Sequence, residues 1–308
     1  MLSFNEFCTE VVNGVSAVYP DVEVFTKQVR KPNIVKTGLI IKPNNGNITP
    51  TPTIYLNEFY SEDCEISDVI NQVVKIYEEY KDTMIDFDVQ EICDFEQAKK
   101  RIIPILINTE RNTELLKTCP NKTYLDLSIV FYYMCDDKTI SGGQSMVLVT
   151  NSLFTSWGIS LDTLYDVSMN NIHLLGCNVR NIIDIIAKMM KDEGEPDEVI
   201  SMMINDMHNR QWVPITVVTN DIYLKGACIA FFNPNICKKL AQDYNNNLLI
   251  LPSSVHESIV VPVDIAPTID DVKEMVKSIN ATEVLPEDFL SDSVYFYDRT
   301  TGKISIAE

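Results

Sequence analysis

The chain has 308 residues, 45% of them hydrophobic, and sets 25 basic against 44 acidic side chains for a formal charge of −19. That length suggests about two domains, and the apolar share excludes wholesale disorder. Carboxylates in such excess repel phosphate backbones and anionic bilayers, so neither nucleic acid nor membrane is expected as a partner.

Ser3 stands three residues before Glu6, the spacing of a capping box. Phe4, Phe7, Val11, Val15 and Val18 then recur at helical intervals, and Pro20 ends the run. Strand-like runs follow at 22–30, 36–42 and 53–56, with a turn-rich loop at 43–52. Ile66, Val69, Ile70, Val73, Tyr77 and Tyr80 form one helical stripe. The order helix, three strands, helix predicts an α+β module over residues 1–90.

Residues 94–101 read as helix, and Pro104 makes 102–107 an edge strand at best. A short helix at 112–118 precedes apolar runs at 127–135 and 144–150, which flank a Ser141-Gly142-Gly143 turn. Asn151 is expected to cap a helix reaching Trp157, itself a core anchor, and a second helix covers 161–170. Residues 181–191 are helical with Ile and Met on most of the surface, a pattern that demands cover. The Gly, Pro and charges of 192–198 read as a linker. Beyond it come expected strands at 215–219 and 227–232, a helix at 234–244, and strands at 248–251 and 255–263. A helix bearing Ile269, Val272, Met275, Val276 and Ile279 precedes a closing hairpin, 294–297 with 303–306. The fold class is therefore α+β: two mixed α/β modules with mainly antiparallel sheets, the second spanning 91–308 with a division offered near 192–198.

Charge is unevenly spread. Residues 1–60 carry five acids and five bases, 61–110 thirteen acids and five bases, and 257–298 ten acids and two bases. The early bases Lys27, Arg30, Lys31, Lys36 and Lys42 fall on one hairpin, which reads as a solvated face or an anion contact. The eight cysteines are scattered without CxxC spacing, as free thiols in a reducing cytoplasm would be. Glu6 and Glu10 interrupt the opening segment, so no secretory leader is expected.

Two serines, a histidine and a carboxylate crowd together at Ser253, Ser254, His256 and Glu257. These residue types could build a hydrolase-like site at Ser253, Ser254 and His256, but a strand over 255–263 would turn Glu257 to the opposite face from His256. A triad would then need an acid from elsewhere. The other reading is a turn whose hydroxyls cap backbone groups. No GxSxG, phosphate-binding loop or dinucleotide fingerprint occurs, so no cofactor is expected. His173, His208 and His256 are far apart, and the acids Asp82, Asp86, Asp88, Glu91 and Asp94 lack a calcium loop's mid-loop glycine, so no metal is expected.

Six segments, TIYLNEFY at 53–60, INTERNTELL at 107–116, NSLFTSWG at 151–158, VTNDIYLKGA at 218–227, LPSSVHE at 251–257 and NATEVLPEDFLSDSVYFY at 280–297, resemble in order and spacing the bacterial family named domain of unknown function 5688. The Trp157 helix and the final strand–helix–hairpin are more loosely similar to domain of unknown function 1444. The resemblance implies a bacterial intracellular protein and supplies no catalytic residues. The preferred expectation is a non-enzymatic interaction protein whose acidic face engages a protein partner with a basic surface. The alternatives are the hydrolase-like enzyme and a small-ligand sensor with a pocket between the modules.

Overall fold

The computed structural model describes residues 2–43, 53–81, 89–135, 146–209, 214–221 and 225–308. Most of the loop expected at 43–52, the acids Asp82, Asp86 and Asp88, and the Ser141-Gly142-Gly143 turn lie outside these residues. The chain divides into two compact units, 1–87 with 136–142, and 88–135 with 143–308.

The first unit opens with α1 (Phe4–Val18), closed at its start by the expected capping box. Ser3 N–H donates to Glu6 Oε2 at 2.8 Å, and Glu6 N–H donates to Ser3 Oγ at 3.4 Å. Strands β1 (Val22–Lys31) and β2 (Ile34–Pro43) form an antiparallel hairpin that turns at Asn33, with φ of +64°. The short β3 (Ile54–Tyr55) pairs on β2, which leaves β1 at one edge. The unit's last described helix is α2 (Ile66–Tyr80). Phe7, Val11 and Val15 of α1 and Val73 of α2 pack with Leu39 and Ile41 in the core. Such fully buried side chains each contribute about 1.5–3 kcal/mol. A Cβ on Gly14 would stand 2.1 Å from Ile70 Cδ1, so the two helices meet closely because position 14 has none.

The second unit begins with the short helices α3 (Val89–Cys93) and α4 (Phe95–Ala98), then β4 (Ile102–Asn108) and α5 (Thr113–Leu116). Strands β5 (Asn121–Tyr124), β6 (Leu127–Met134) and β7 (Met146–Leu148) complete a four-stranded antiparallel sheet. All eight residues of β6 are buried; β4 lies along one side, with β5 and β7 end to end along the other. Pro104 sits in β4, whose free side needs no ladder donor there. Helices α6 (Asn151–Trp157) and α7 (Leu161–Asn170) follow. Trp157 is buried, and its Nε1–H donates to the Ile92 carbonyl at 2.9 Å.

Next come β8 (Asn178–Asn181), the helical pair α8 (Ile182–Asp192) and α9 (Asp197–Asn209), and β9 (Thr216–Thr219). Helices α10 (Cys228–Phe232) and α11 (Pro234–Asp243) precede β10 (Leu248–Leu251) and β11 (Ser258–Pro262). Helix α12 (Ile269–Thr282) and the hairpin β12 (Tyr295–Asp298) and β13 (Lys303–Ile306) follow. These strands make a six-stranded antiparallel sheet in the order β13-β12-β10-β11-β9-β8. The fold is α+β with antiparallel sheets, as the alternating patterns predict.

Several local expectations are corrected. Residues 228–232 are helix, not strand, because α10 is enclosed by both sheets of the unit. Phe231 meets Tyr124 edge-on at 6.1 Å and Tyr295 at 5.0 Å, while Cys228 Sγ–H points to the Pro104 carbonyl at 3.5 Å. An element apolar on every side has no period to betray it. Strand β11 begins at Ser258, not at residue 255. The cap of α6 is Thr150, whose Oγ1 accepts from Leu153 N–H at 3.3 Å, while Asn151 Nδ2–H donates to the Lys117 carbonyl. The 192–198 stretch is shorter as a turn than expected, since α9 starts at Asp197. Helix α8 has only Ile183 buried, and Met189 is 56% exposed, so its expected cover is incomplete among the described residues.

Candidate binding cleft

The pleat of the six-stranded sheet places Leu251 of β10, Ile259 of β11 and Val217 of β9 in one row, paired Leu251 to Ile259 and Ile259 to Val217. Helix α12 packs on this face, its start fixed by Thr268, whose Oγ1 accepts from Asp271 N–H at 3.2 Å. Val272 and Val276 bury themselves against Leu249 and Val261. The helix does not fill the face. Between it and the strands remains a cleft of about 360 Å³. Ile215, Leu251 and Ile259 form its sheet wall, and Val272, Met275 and Ile279 its helix wall. Met275 and Ile279 are 50% and 44% exposed, an unusual cost for large apolar side chains in water. Ser253 and Asn280 supply polar groups among the lining residues. Asn280 is held in place by donating to the Ser291 carbonyl at 3.0 Å and to Asp292 Oδ1 at 2.8 Å.

The loop that carries Ser253 also carries Ser254 and His256. Because β11 starts later than expected, His256 lies outside the strand and its alternation does not govern where the ring goes. Lys225 N–H donates to His256 Nδ1 at 3.1 Å, which leaves that nitrogen without a proton. Nε2 therefore carries the proton and donates to Asp288 Oδ1 at 2.9 Å. Asp288 is the acid that the sequence could not supply locally; it stands 32 positions away, within the 280–297 segment, where nothing in its neighbours marks it as a partner for His256. Its carbonyl also accepts from Val255 N–H at 2.8 Å. Ser254 Oγ accepts from the backbone N–H of His256 at 3.0 Å, a turn cap rather than a contact with the ring. Both ring nitrogens are thus engaged, one by a backbone donor and one by a carboxylate. Among the described residues neither hydrogen-bonds to Ser253 or Ser254.

The backbone of this loop is equally constrained. Thr219 Oγ1–H donates to the His256 carbonyl at 2.8 Å, and Ala227 N–H donates to the Val255 carbonyl at 3.3 Å. A Cβ on Gly226 would lie 2.6 Å from Asn220 N and 2.8 Å from the His256 carbonyl oxygen, so only glycine fits. The geometry fixes one wall of the cleft and leaves Ser253 half-buried at its margin. A second polar node joins the two sheets: Tyr295 O–H and Ser291 O–H donate to the two Asp126 oxygens at 2.6 and 2.7 Å. Burial, then the bond to the Asp126 carboxylate, pushes the Tyr295 phenol well above its usual range.

A sequence profile described as a family of unknown function (DUF5688) matches residues 4–299. The chain belongs to this family. The profile does not show the looser resemblance to domain of unknown function 1444. No curated protein and no solved structure matches the chain. Membership in DUF5688 assigns no residue a role, so the cleft stands on its geometry. Among the described residues no group of three or more His, Cys, Asp or Glu is arranged to hold a metal ion. No described helix is long and apolar enough to cross a membrane.

Proposed function

We propose that the protein is a non-enzymatic, cytoplasmic bacterial interaction module whose cleft beside α12 takes an apolar segment of a protein partner flanked by basic residues. The cleft supports this reading most directly: it is lined almost wholly by aliphatic side chains and is open to solvent along α12. The sign of the partner's charge follows from the surroundings. Asp264, Asp270, Asp271, Glu274 and Glu283 are exposed on α12 and its flanks. Residues 257–298 oppose only two bases to ten acids. Lysines beside an apolar anchor gain from that field, and the anchor supplies most of the affinity. The engaged state of both His256 nitrogens favours this reading over hydrolysis at Ser253 or Ser254.

Fluorescence anisotropy with a labelled helical Leu/Lys peptide tests the assignment, with a Leu/Glu peptide of the same pattern as comparator. The Leu/Lys peptide is expected to bind, and Met275→Glu to weaken it at least tenfold with the thermal midpoint unchanged. Equal binding of the Leu/Glu peptide, or indifference to Met275→Glu, overturns the proposal. Release of p-nitrophenol from an ester that vanishes in Ser254→Ala would restore the hydrolase reading.

A further inference from the structure

The first unit presents a second surface of opposite sign. Its edge strand β1 runs ten residues and pairs, among the described residues, with β2 alone. The row of backbone groups on its outer side is a template for another strand. Beside that edge lies a groove of about 470 Å³ between β1 and α1. Asn5, Thr9 and Val12 line it from the helix, and Val24, Thr26 and Gln28 from the strand. Gln28 and Thr26 are exposed, and Gln28 Nε2–H donates to Thr37 Oγ1 at 2.8 Å, so the floor is polar and set in place.

The pleat separates two faces along β1. Val24, Thr26, Gln28 and Arg30 share the groove side, while Lys27 and Lys31 share the opposite side with Tyr55, over whose ring Lys31 Nζ stands at 4.1 Å. The β1–β2 hairpin holds all five bases of residues 1–60 and a single acid, Glu23. In a chain of charge −19, so local a concentration of cations is set against the rest of the molecule.

We propose that β1 captures an extended acidic segment of a partner protein by strand addition. The pleat also sets the pattern of that segment. Carboxylates at alternate positions would meet Lys27 and Lys31, and small residues such as Thr or Val between them would enter the groove against α1. Main-chain hydrogen bonds to the edge give affinity, and the two faces give register. A phosphate backbone could satisfy the lysines, but it offers no ladder of amide groups.

The test uses the full chain and a fluorescein-labelled peptide of alternating Glu with Thr and Val. It is expected to bind, to weaken with added salt, and to lose at least tenfold in affinity with Lys27→Glu and Lys31→Glu together. Thr9→Trp, which fills the groove, should cost a similar factor. Two versions of the peptide, N-methylated on opposite edges, separate strand addition from charge attraction: one should bind normally and the other at least tenfold more weakly. Met275→Glu should leave this binding unaltered, which keeps the result independent of the α12 cleft. Absence of binding, equal affinity of both methylated peptides, or tighter binding of an oligothymidylate of the same charge overturns the proposal.

Discussion

His256 is held at both ring nitrogens, and that makes it a fastener between three loops: the turn at Lys225, its own loop, and the segment at Asp288. Removing the ring would leave a backbone N–H and a half-buried carboxylate without their partners, at a cost of about 1–3 kcal/mol. His256→Leu should therefore lower the urea midpoint measurably. His256→Asn, which can still accept from Lys225, should lose less. If the two variants unfold at the wild-type midpoint, the fastening role is wrong. Gly226→Ala probes the same junction through the backbone. Its Cβ would meet backbone atoms on two sides rather than a flexible side chain, so it should destabilise more than either histidine variant. The sequence marked Ser253, Ser254 and His256 as worth notice because polar groups crowd there, and the structure gives a reason for the crowding. Asp288, Thr219 and Gly226 fall in segments that carry the family resemblance, but no local pattern links them to His256; only the folded chain brings them together.

Elements were legible where one face is dry and the other wet. The stripe of α2 and the cap at Ser3 carry a period or a pair that chemistry requires, while β1 and β2 were legible as strand-like runs bounded by turn residues. Helix α10 was not legible, because Cys228, Ile229, Ala230 and Phe231 are all buried and a short apolar run fits a strand as well as a helix. Strands β5 and β8 escaped for the opposite reason: at four residues each, with half-exposed polar side chains, they are held by pairing to β6 and β9 rather than by composition. The central place of α10 is testable. Phe231→Ala would empty the space between Tyr124 and Tyr295 and should cost about 3–5 kcal/mol, read as a fall in the thermal midpoint. A loss no larger than that of Phe232→Ala, whose ring is less buried, would show that α10 is peripheral to the core.

At the scale of the molecule, burial has set aside a group of acids that a neutral pH never tests. The thiols of Cys119, Cys228 and Cys237 are pushed up to about 11, 12 and 12 by desolvation, and the phenols of Tyr124 and Tyr133 to about 12. The unfolded chain would release the same protons near 9.0 for a thiol and 10.0 for a phenol. The folded pKa values are raised, so this contribution to stability is complete below about pH 8.5 and is lost as pH climbs towards 12. Urea midpoints should hold between pH 7 and 8, then fall steadily above pH 9; a flat profile to pH 10.5 would contradict the burial of these groups. Charge divides the molecule in a way the sequence did reveal: a neutral first stretch with a basic hairpin, and carboxylates gathered near α12. The bond network of Asp126 adds a consequence for synthesis. Its oxygens accept hydrogen bonds from residues 165 and 169 positions downstream. A ribosome must finish nearly the whole second unit before α10 can be sealed between its sheets, whereas α1 to α2 close over contacts made within the first 81 residues. Strands β4 and β6 can pair with each other once residue 134 is made, but the surfaces that later close on α10 and Tyr295 stay open until the C-terminal hairpin emerges, so apolar surface of the nascent second unit should stay exposed longer than the core shared by α1 and α2.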